Sequence, residues 1–157
     1  MTRKAIEGYE GLYEVDEEGN VFSLNYGNTA GKVKKLKPRK NTHGYYQVGL
    51  WKDKKEKMHL VHRLVAIAFI ANPDNKPQVD HINRNRLDNI VDNLQWVTNQ
   101  QNSFNTSAKG CYHDKRSGKW QAYIYVNRKQ ISLKYHDTEE EAHAAYLKAK
   151  EKYHIIE

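Results

Sequence analysis

The chain of 157 residues has one cysteine, three prolines and no long apolar run. A lone thiol, Cys111, cannot close an internal disulfide, and with no Cys-x-x-Cys pair the sequence offers no framework for a structural zinc. Apolar packing alone must therefore hold the fold. The longest apolar stretch, Leu64 to Ala71, has eight residues, far short of the ~20 that span a bilayer. The opening MTRKAIEGYE lacks the apolar core of a signal peptide. These absences lead to the expectation of a soluble, cytoplasmic protein with no membrane contact. Hydrophobic residues make up only 38%. The length fits one domain or two or three very small ones.

What the chain has in excess is positive charge and tyrosine. The net charge is +7 and there are 11 tyrosines. Such a composition suggests a polyanion partner. The charge is blocked. Residues 1–20 carry six acids against two bases, residues 32–40 (KVKKLKPRK) carry six bases and no acid, and residues 109–134 carry seven bases against Asp114 alone. Blocks of this kind mean that one face meets a polyanion while others stay solvated.

Residues 1–27 read as short strands around a Glu18-Gly19-Asn20 turn, and 28–42 as a basic loop or arm. Tyr46, Val48 and Leu50 alternate, opening a hairpin over 44–61. Val61, Leu64, Val65 and Ala68 then fall at helical spacing, and Pro73 disfavours helix in the residue before it. Leu94-Gln95-Trp96-Val97-Thr98 reads as a short strand. Thr98 and Gln101 form a capping box that starts a short helix carrying Asn102, and Thr138-Glu139-Glu140-Glu141 forms another. The second opens a helix with Ala142, Ala145, Tyr146, Ala149 and Tyr153 on one face. With strands near 111–113, 119–126 and 130–135, it makes a small α+β unit. Residues 103–109 are small and polar and read as a linker.

The most informative stretch is VDHINRNRLDNIVDNLQWVTNQQN, Val79 to Asn102. Phosphodiester hydrolysis needs an activated water, a counter-charge and help for the leaving oxygen; a divalent ion supplies the last two. Mg²⁺ takes oxygen ligands and keeps several waters, so the Asp80 carboxylate and the Asn102 amide oxygen suffice from the protein. His81 is suited to be the general base, because imidazole titrates near neutral pH. Neighbours on a strand face opposite ways, so Asp80 and His81 can take different tasks. Taken alone, an Asp-His pair is an ordinary surface dipeptide, and an asparagine-rich stretch is an ordinary turn.

The ordered combination resembles the HNH endonuclease family, in its phage and intron-encoded homing type. The carriers are Val61-His62-Arg63-Leu64-Val65-Ala66, Phe69-Ile70, Asn72-Pro73, Val79-Asp80-His81-Ile82, Asp92-Asn93-Leu94-Gln95-Trp96-Val97-Thr98 and Asn102. The resemblance implies a ββα-metal core with His81 as general base and Asp80 and Asn102 as ligands of Mg²⁺ (or Mn²⁺). Asn93 becomes the residue that pins the loop and helps to orient His81. Ile6-Glu7-Gly8-Tyr9-Glu10-Gly11-Leu12-Tyr13-Glu14-Val15 and Gly19-Asn20-Val21-Phe22-Ser23-Leu24 resemble the modular N-terminal motif of these nucleases. Residues 110–157 resemble the DNA-binding domain of plant ethylene-response factors, through Gly110-Cys111-Tyr112, Asp114-Lys115-Arg116-Ser117-Gly118-Lys119-Trp120, Ala122, Asp137-Thr138-Glu139-Glu140-Glu141-Ala142 and Ala145-Tyr146. In that family a three-stranded sheet lies in the major groove. Lys134 stands where that family has glycine.

The expectation is therefore an α+β protein. It has an N-terminal motif over 1–27, a basic arm and nuclease core over 28–102, a linker over 103–109, and a three-stranded antiparallel sheet with one helix over 110–157. The partner is double-stranded DNA, met by a monomer without a small-molecule cofactor. The expected DNA contacts are Lys32, Lys34, Lys35, Lys37, Arg39 and Lys40 on the arm, with Arg116, Lys119, Trp120, Arg128 and Lys134 on the C-terminal sheet. Two of the contact residues have a second reading: Arg63 binds a phosphate or makes a structural salt bridge, and Trp120 stacks on sugar or belongs to the core. A DNA-binding regulator that does not cut is the rival reading.

Overall fold

The structure, a computed structural model, describes residues 1–105 and 108–155. Thr106 and Ser107, in the expected linker, and Ile156 and Glu157, at the end of the expected C-terminal domain, lie outside the described residues. The chain divides into two compact units, Met1–Val97 and Thr98–Glu157. Among the described residues no helix is long and apolar enough to cross a membrane.

The first unit holds three small antiparallel sheets and one helix. Strands β1 (Arg3–Ala5), β2 (Tyr13–Asp16), β3 (Val21–Ser23) and β4 (Lys34–Lys35) form one sheet in sequence order. Strands β5 (Arg39–Lys40), β6 (Tyr46–Lys52) and β7 (Lys55–Leu60) form the second, and β8 (Gln78–His81) and β9 (Leu94–Val97) the third. The expected basic arm is thus two short strands at sheet edges, with Pro38 between them. Lysines are a common means of blunting an edge. Helix α1 (Val61–Phe69) follows β7 directly and buries Val61, His62, Leu64, Val65 and Ala66. It ends at Ile70, just before Asn72-Pro73.

One apolar cluster joins the whole unit. Ile6, Val15 and Val21 of the N-terminal region meet Val48, Leu50, Val61, Leu64, Val65, Ala66, Val79 and Leu94. Leu50 and Val65 are fully buried, and burial of such a side chain contributes about 1.5–3 kcal/mol. The expected module 1–27 and the nuclease core therefore share one interior.

The second unit opens with Thr98, whose side chain and that of Gln101 complete the expected capping box of α2 (Asn99–Asn102). Strands β10 (Cys111–Asp114), β11 (Lys119–Val126) and β12 (Lys129–His136) form an antiparallel sheet in that order. Helix α3 (Glu139–Tyr153) covers one face; it buries Ala142, Tyr146 and Ala149, the last two packed with Ile124. Thr138 caps α3 through the Glu141 amide, while the Glu141 carboxylate reaches the amide of Asp137, one residue before the position a full capping box uses. Tyr153, placed on the apolar face from sequence, is exposed, because α3 ends there.

Gly110 has φ +64°, and a Cβ there would run into the Tyr146 ring. Gly110→Ala combines left-handed strain with overpacking, so it is expected to destabilise the second unit by roughly 2–4 kcal/mol. Thermal unfolding followed by near-UV circular dichroism reads this; an unchanged transition would show that the helix simply shifts away.

Candidate active site

Strand β8 ends on Asp80 and His81. Strand β9 pairs with it, Asp80 opposite Gln95 and His81 opposite Leu94. The two side chains have different partners, as their alternation on the strand requires. Asp80 Oδ2 accepts a hydrogen bond from Gln95 Nε2 at 3.0 Å. His81 Nε2 bonds Asn89 Oδ1 at 3.0 Å. Asp80, His81 and Asn89 are all buried.

Asn93 pins the intervening loop. Its amide oxygen accepts from the Asn83 backbone at 2.9 Å, and its Nδ2 donates to Asn83 Oδ1 and to the Asp88 carbonyl. Its backbone carbonyl accepts from the Ile82 amide, the residue next to His81. Asn83 and Asn85 close further turns on the amides two residues on. These asparagines are at once turn-formers and parts of the site. The side chain that bonds His81 Nε2, however, is Asn89, which the sequence reading missed. Asn83, Asn85, Asn89 and Asn93 have equal claims in a loop of unknown shape, so no sequence signal singles Asn89 out.

Asn89 is braced from the N-terminal sheet. The β2–β3 turn places Gly19 at φ +82° against it; a Cβ on Gly19 would lie 2.9 Å from Asn89 Cβ. Buried Asp16 shapes that turn by accepting from the amides of Glu18 and Asn20. The Glu17 carbonyl accepts from Val91 at 2.9 Å, which joins the turn to the chain just past Asn89.

An aromatic cluster lies on the other side of His81. The ring of His62, on α1, is 4.9 Å from that of His81 between centroids, and Tyr45 is 5.0 Å from His62 and 5.9 Å from His81. His62 went unassigned in the sequence, although its place three and four residues before Val65 and Ala66 puts it on the buried face of α1.

The other expected residues fall as follows. Asn102 ends α2 and so belongs to the second unit. Arg63 donates to the Pro77 carbonyl at 3.1 Å and lies over the Trp96 ring, and no carboxylate pairs with it among the described residues, so the expected salt bridge is not formed. Lys32, Lys34, Lys35, Lys37, Arg39 and Lys40 are all exposed, with Lys34 over the Tyr26 ring. In the second unit Arg116 and Arg128 sit in the turns that join the strands, Arg128 at φ +63°. Lys119 pairs with Asp137 at 3.3 Å. Trp120 shares its strand face with buried Ala122 and Ile124, and it is half-buried beside His113. Lys134 has φ +72°, which gives a physical reason for glycine at that position. The face turned away from α3 carries Tyr112, Gln121, Tyr123, Tyr125 and Gln130 rather than arginines. Tyr112 and Tyr125 donate to Gln121 and Gln130.

His62 makes a pH-dependent contribution. Its Nδ1 is buried without a hydrogen-bond partner. Burial, followed by Coulombic repulsion from His81 and Arg63, lowers its pKa from 6.5 to about 4. The unfolded chain takes up this proton near pH 6.5 and the folded chain only near 4. Stability is thus complete above pH 6.5 and falls as the pH drops through that window, by about 3 kcal/mol for this residue. Urea unfolding at pH 7 and pH 4.5 is expected to show the loss, and His62→Phe to remove most of it; equal slopes in both proteins would contradict it.

Comparison with known proteins bears on the fold and the sequence motifs. Residues 59–104 match the HNH endonuclease family model, and residues 1–51 match the NUMOD4 motif. The DNA endonuclease I-HmuI of Bacillus phage SP01 is 40% identical over 110 residues, which is 70% of this chain and 60% of that protein. A putative HNH homing endonuclease derived from the SPbeta prophage, YosQ of Bacillus subtilis (strain 168), is 37% identical over 115 residues, again 70% of this chain and 60% of the other. The chain thus spans about 60% of the length of these relatives. A solved structure of I-HmuI, concerned with its binding and cleavage of DNA, aligns with TM-score 0.60 and 30% identity, covering 84% of this chain and 77% of that one. The α+β architecture, the Asp80-His81 strand end and the matched motifs converge: the chain belongs to the HNH endonuclease family.

Proposed function

We propose that this protein is a metal-dependent DNA endonuclease of the homing type, which hydrolyses phosphodiester bonds with His81 as general base. The observation that carries this reading is the bond between His81 and Asn89. An amide oxygen only accepts, so Nε2 keeps its proton and the lone pair rests on Nδ1. His81 is then held in one tautomer and one orientation, as a base must be to take a proton from water along a fixed line.

Asp80 and Asn102 are the proposed metal ligands. The donor set fits a hard ion: a carboxylate and an amide oxygen suit Mg²⁺ or Mn²⁺ better than a soft metal. Among the described residues no three His, Cys, Asp or Glu side chains gather as a closed cage. Gln95 fixes the Asp80 carboxylate by donating to one oxygen. When bound, the ion supplies positive charge against the developing phosphorane and the leaving 3′-oxygen. His81 removes the proton from the attacking water, and Asn93 keeps the strand end and loop in register. The products are 5′-phosphate and 3′-hydroxyl ends.

DNA is held elsewhere. The exposed cations of β4 and β5 track the backbone without regard to sequence. The C-terminal unit supplies selection, in keeping with its resemblance to ethylene-response-factor domains. One site per chain fits a monomer that nicks one strand.

Supercoiled plasmid carrying a candidate target, incubated with protein and Mg²⁺, is expected to yield nicked circles, with EDTA abolishing them. His81→Ala is expected to lower the rate ~10²–10⁴-fold while DNA affinity stays unchanged. Binding without any cut product would favour the regulator reading and sink this one; cutting by His81→Ala would remove the base assignment.

Gly19→Ala tests the brace behind Asn89. It is expected to slow cleavage by as much as ~10²-fold, because small misplacements of a base are costly, with affinity for DNA kept. A kcat equal to wild type would show that Asn89 needs no support from the N-terminal sheet.

A further inference from the structure

We infer that Arg86 is a further substrate-binding residue, one that takes a DNA phosphate next to the bond being cut. This rests on the nuclease reading above. Arg86 lies in the loop between β8 and β9, and it is exposed. Its guanidinium is nonetheless fixed in place. One Nη donates to the His43 carbonyl at 2.9 Å, and the group lies over the Tyr45 ring, 5.0 Å from the centroid. The Arg86 stem passes Gly44, where a Cβ would meet Arg86 Cδ at 4.0 Å.

Three observations turn this from a surface arginine into a ligand site. First, no carboxylate pairs with Arg86 among the described residues. A guanidinium has five N–H donors, and the His43 carbonyl uses one. Second, the group is held by stacking and by a neutral carbonyl, neither of which cancels its charge. Arginine suits an anion of fixed geometry because the planar fork is already organised. Third, its platform is shared with the reaction. The Tyr45 ring under Arg86 also packs on His62 and lies 5.9 Å from His81. The fixed cation is therefore one ring away from the proposed base. Its donors suit a phosphodiester oxygen of the strand that passes His81. Arg84, two residues earlier, has φ +64° and no such platform.

The contact exists in the ground state as well as in the transition state, so it acts on binding rather than on the chemical step. A charge-assisted hydrogen bond contributes enough for roughly tenfold to hundredfold in affinity. Loss of one phosphate-binding cation also flattens the salt dependence by about one.

The test is binding of full-length protein to a short random-sequence duplex, read by fluorescence anisotropy over a salt series in EDTA. For Arg86→Gln the affinity is expected to fall roughly tenfold or more and the log–log salt slope to lessen by about one, with the melting temperature unchanged. Arg86→Lys is expected to keep the slope while recovering only part of the affinity. In plasmid nicking with Mg²⁺, Arg86→Gln should raise KM and leave kcat near wild type. An unchanged salt slope, or a fall in melting temperature that accounts for the loss, would make Arg86 structural and overturn the inference. A loss carried entirely by kcat would overturn the flanking contact too. The anisotropy arm needs no cutting, so wild-type protein that binds but does not nick would defeat the nuclease reading while the slope still judges Arg86 as a phosphate ligand.

Discussion

The hydrogen bond between His81 and Asn89 is the constraint on which the site depends. Both partners are buried, so the bond is not in exchange with water, and breaking it would strand a polar group at a cost of about 1–3 kcal/mol. It works only if Asn89 stays in place, and Asn89 sits in a loop. The structure answers with supports from two directions. Asn93 ties the loop to the residues after His81, and the β2–β3 turn closes against Asn89 with a glycine where any side chain would collide. The orientation of one imidazole is thus set by elements separated by more than sixty residues of sequence.

That dependence explains why the NUMOD4 region and the HNH region fold as one unit. The β8–β9 pair is only two strands, and an isolated two-stranded sheet is marginal in water. The unit gains its interior by packing α1 between the N-terminal sheet and the β6–β7 hairpin. The acids of residues 14–18 look from composition like a solvated patch. One of them, Asp16, is buried and shapes the turn that reaches Asn89. Charge that would repel DNA at the surface is partly spent inside the fold.

Local signals in the sequence revealed a good part of this. The hairpin, helix α1 and its end before Pro73, the capping box at Thr98 and the strands of the second unit all follow from period and punctuation, and they appear close to the expected bounds. Asp80, His81 and Asn93 were legible because the family motif orders them. What stayed hidden depends on distant contacts. Asn89 looks like any other turn asparagine until Gly19 is seen against it. His62 looks like a stray helical histidine until Tyr45 and His81 close around it. Trp120 shows the converse: it is a residue suited to DNA, yet buried Ala122 and Ile124 share its strand face.

Under the proposed function, the placement of charge also separates affinity from selection. The cations of β4 and β5 are exposed at sheet edges, and Arg116 and Arg128 stand in turns. Such groups give a salt-dependent attraction that is the same for every sequence. The outward face of β10, β11 and β12 carries no arginine in its strands; Lys119 and Ser132 lie there beside tyrosines and glutamines, of which Tyr112 bonds Gln121 and Tyr125 bonds Gln130. Guanine is read best by arginine, whereas glutamine pairs with adenine and apolar surface meets the thymine methyl. Under the proposed function, the tyrosine–glutamine bonds would have to open before either glutamine could read a base. The arginines would then serve the backbone, and Arg86 would differ from them in being held rigidly, where the strand to be cut must lie.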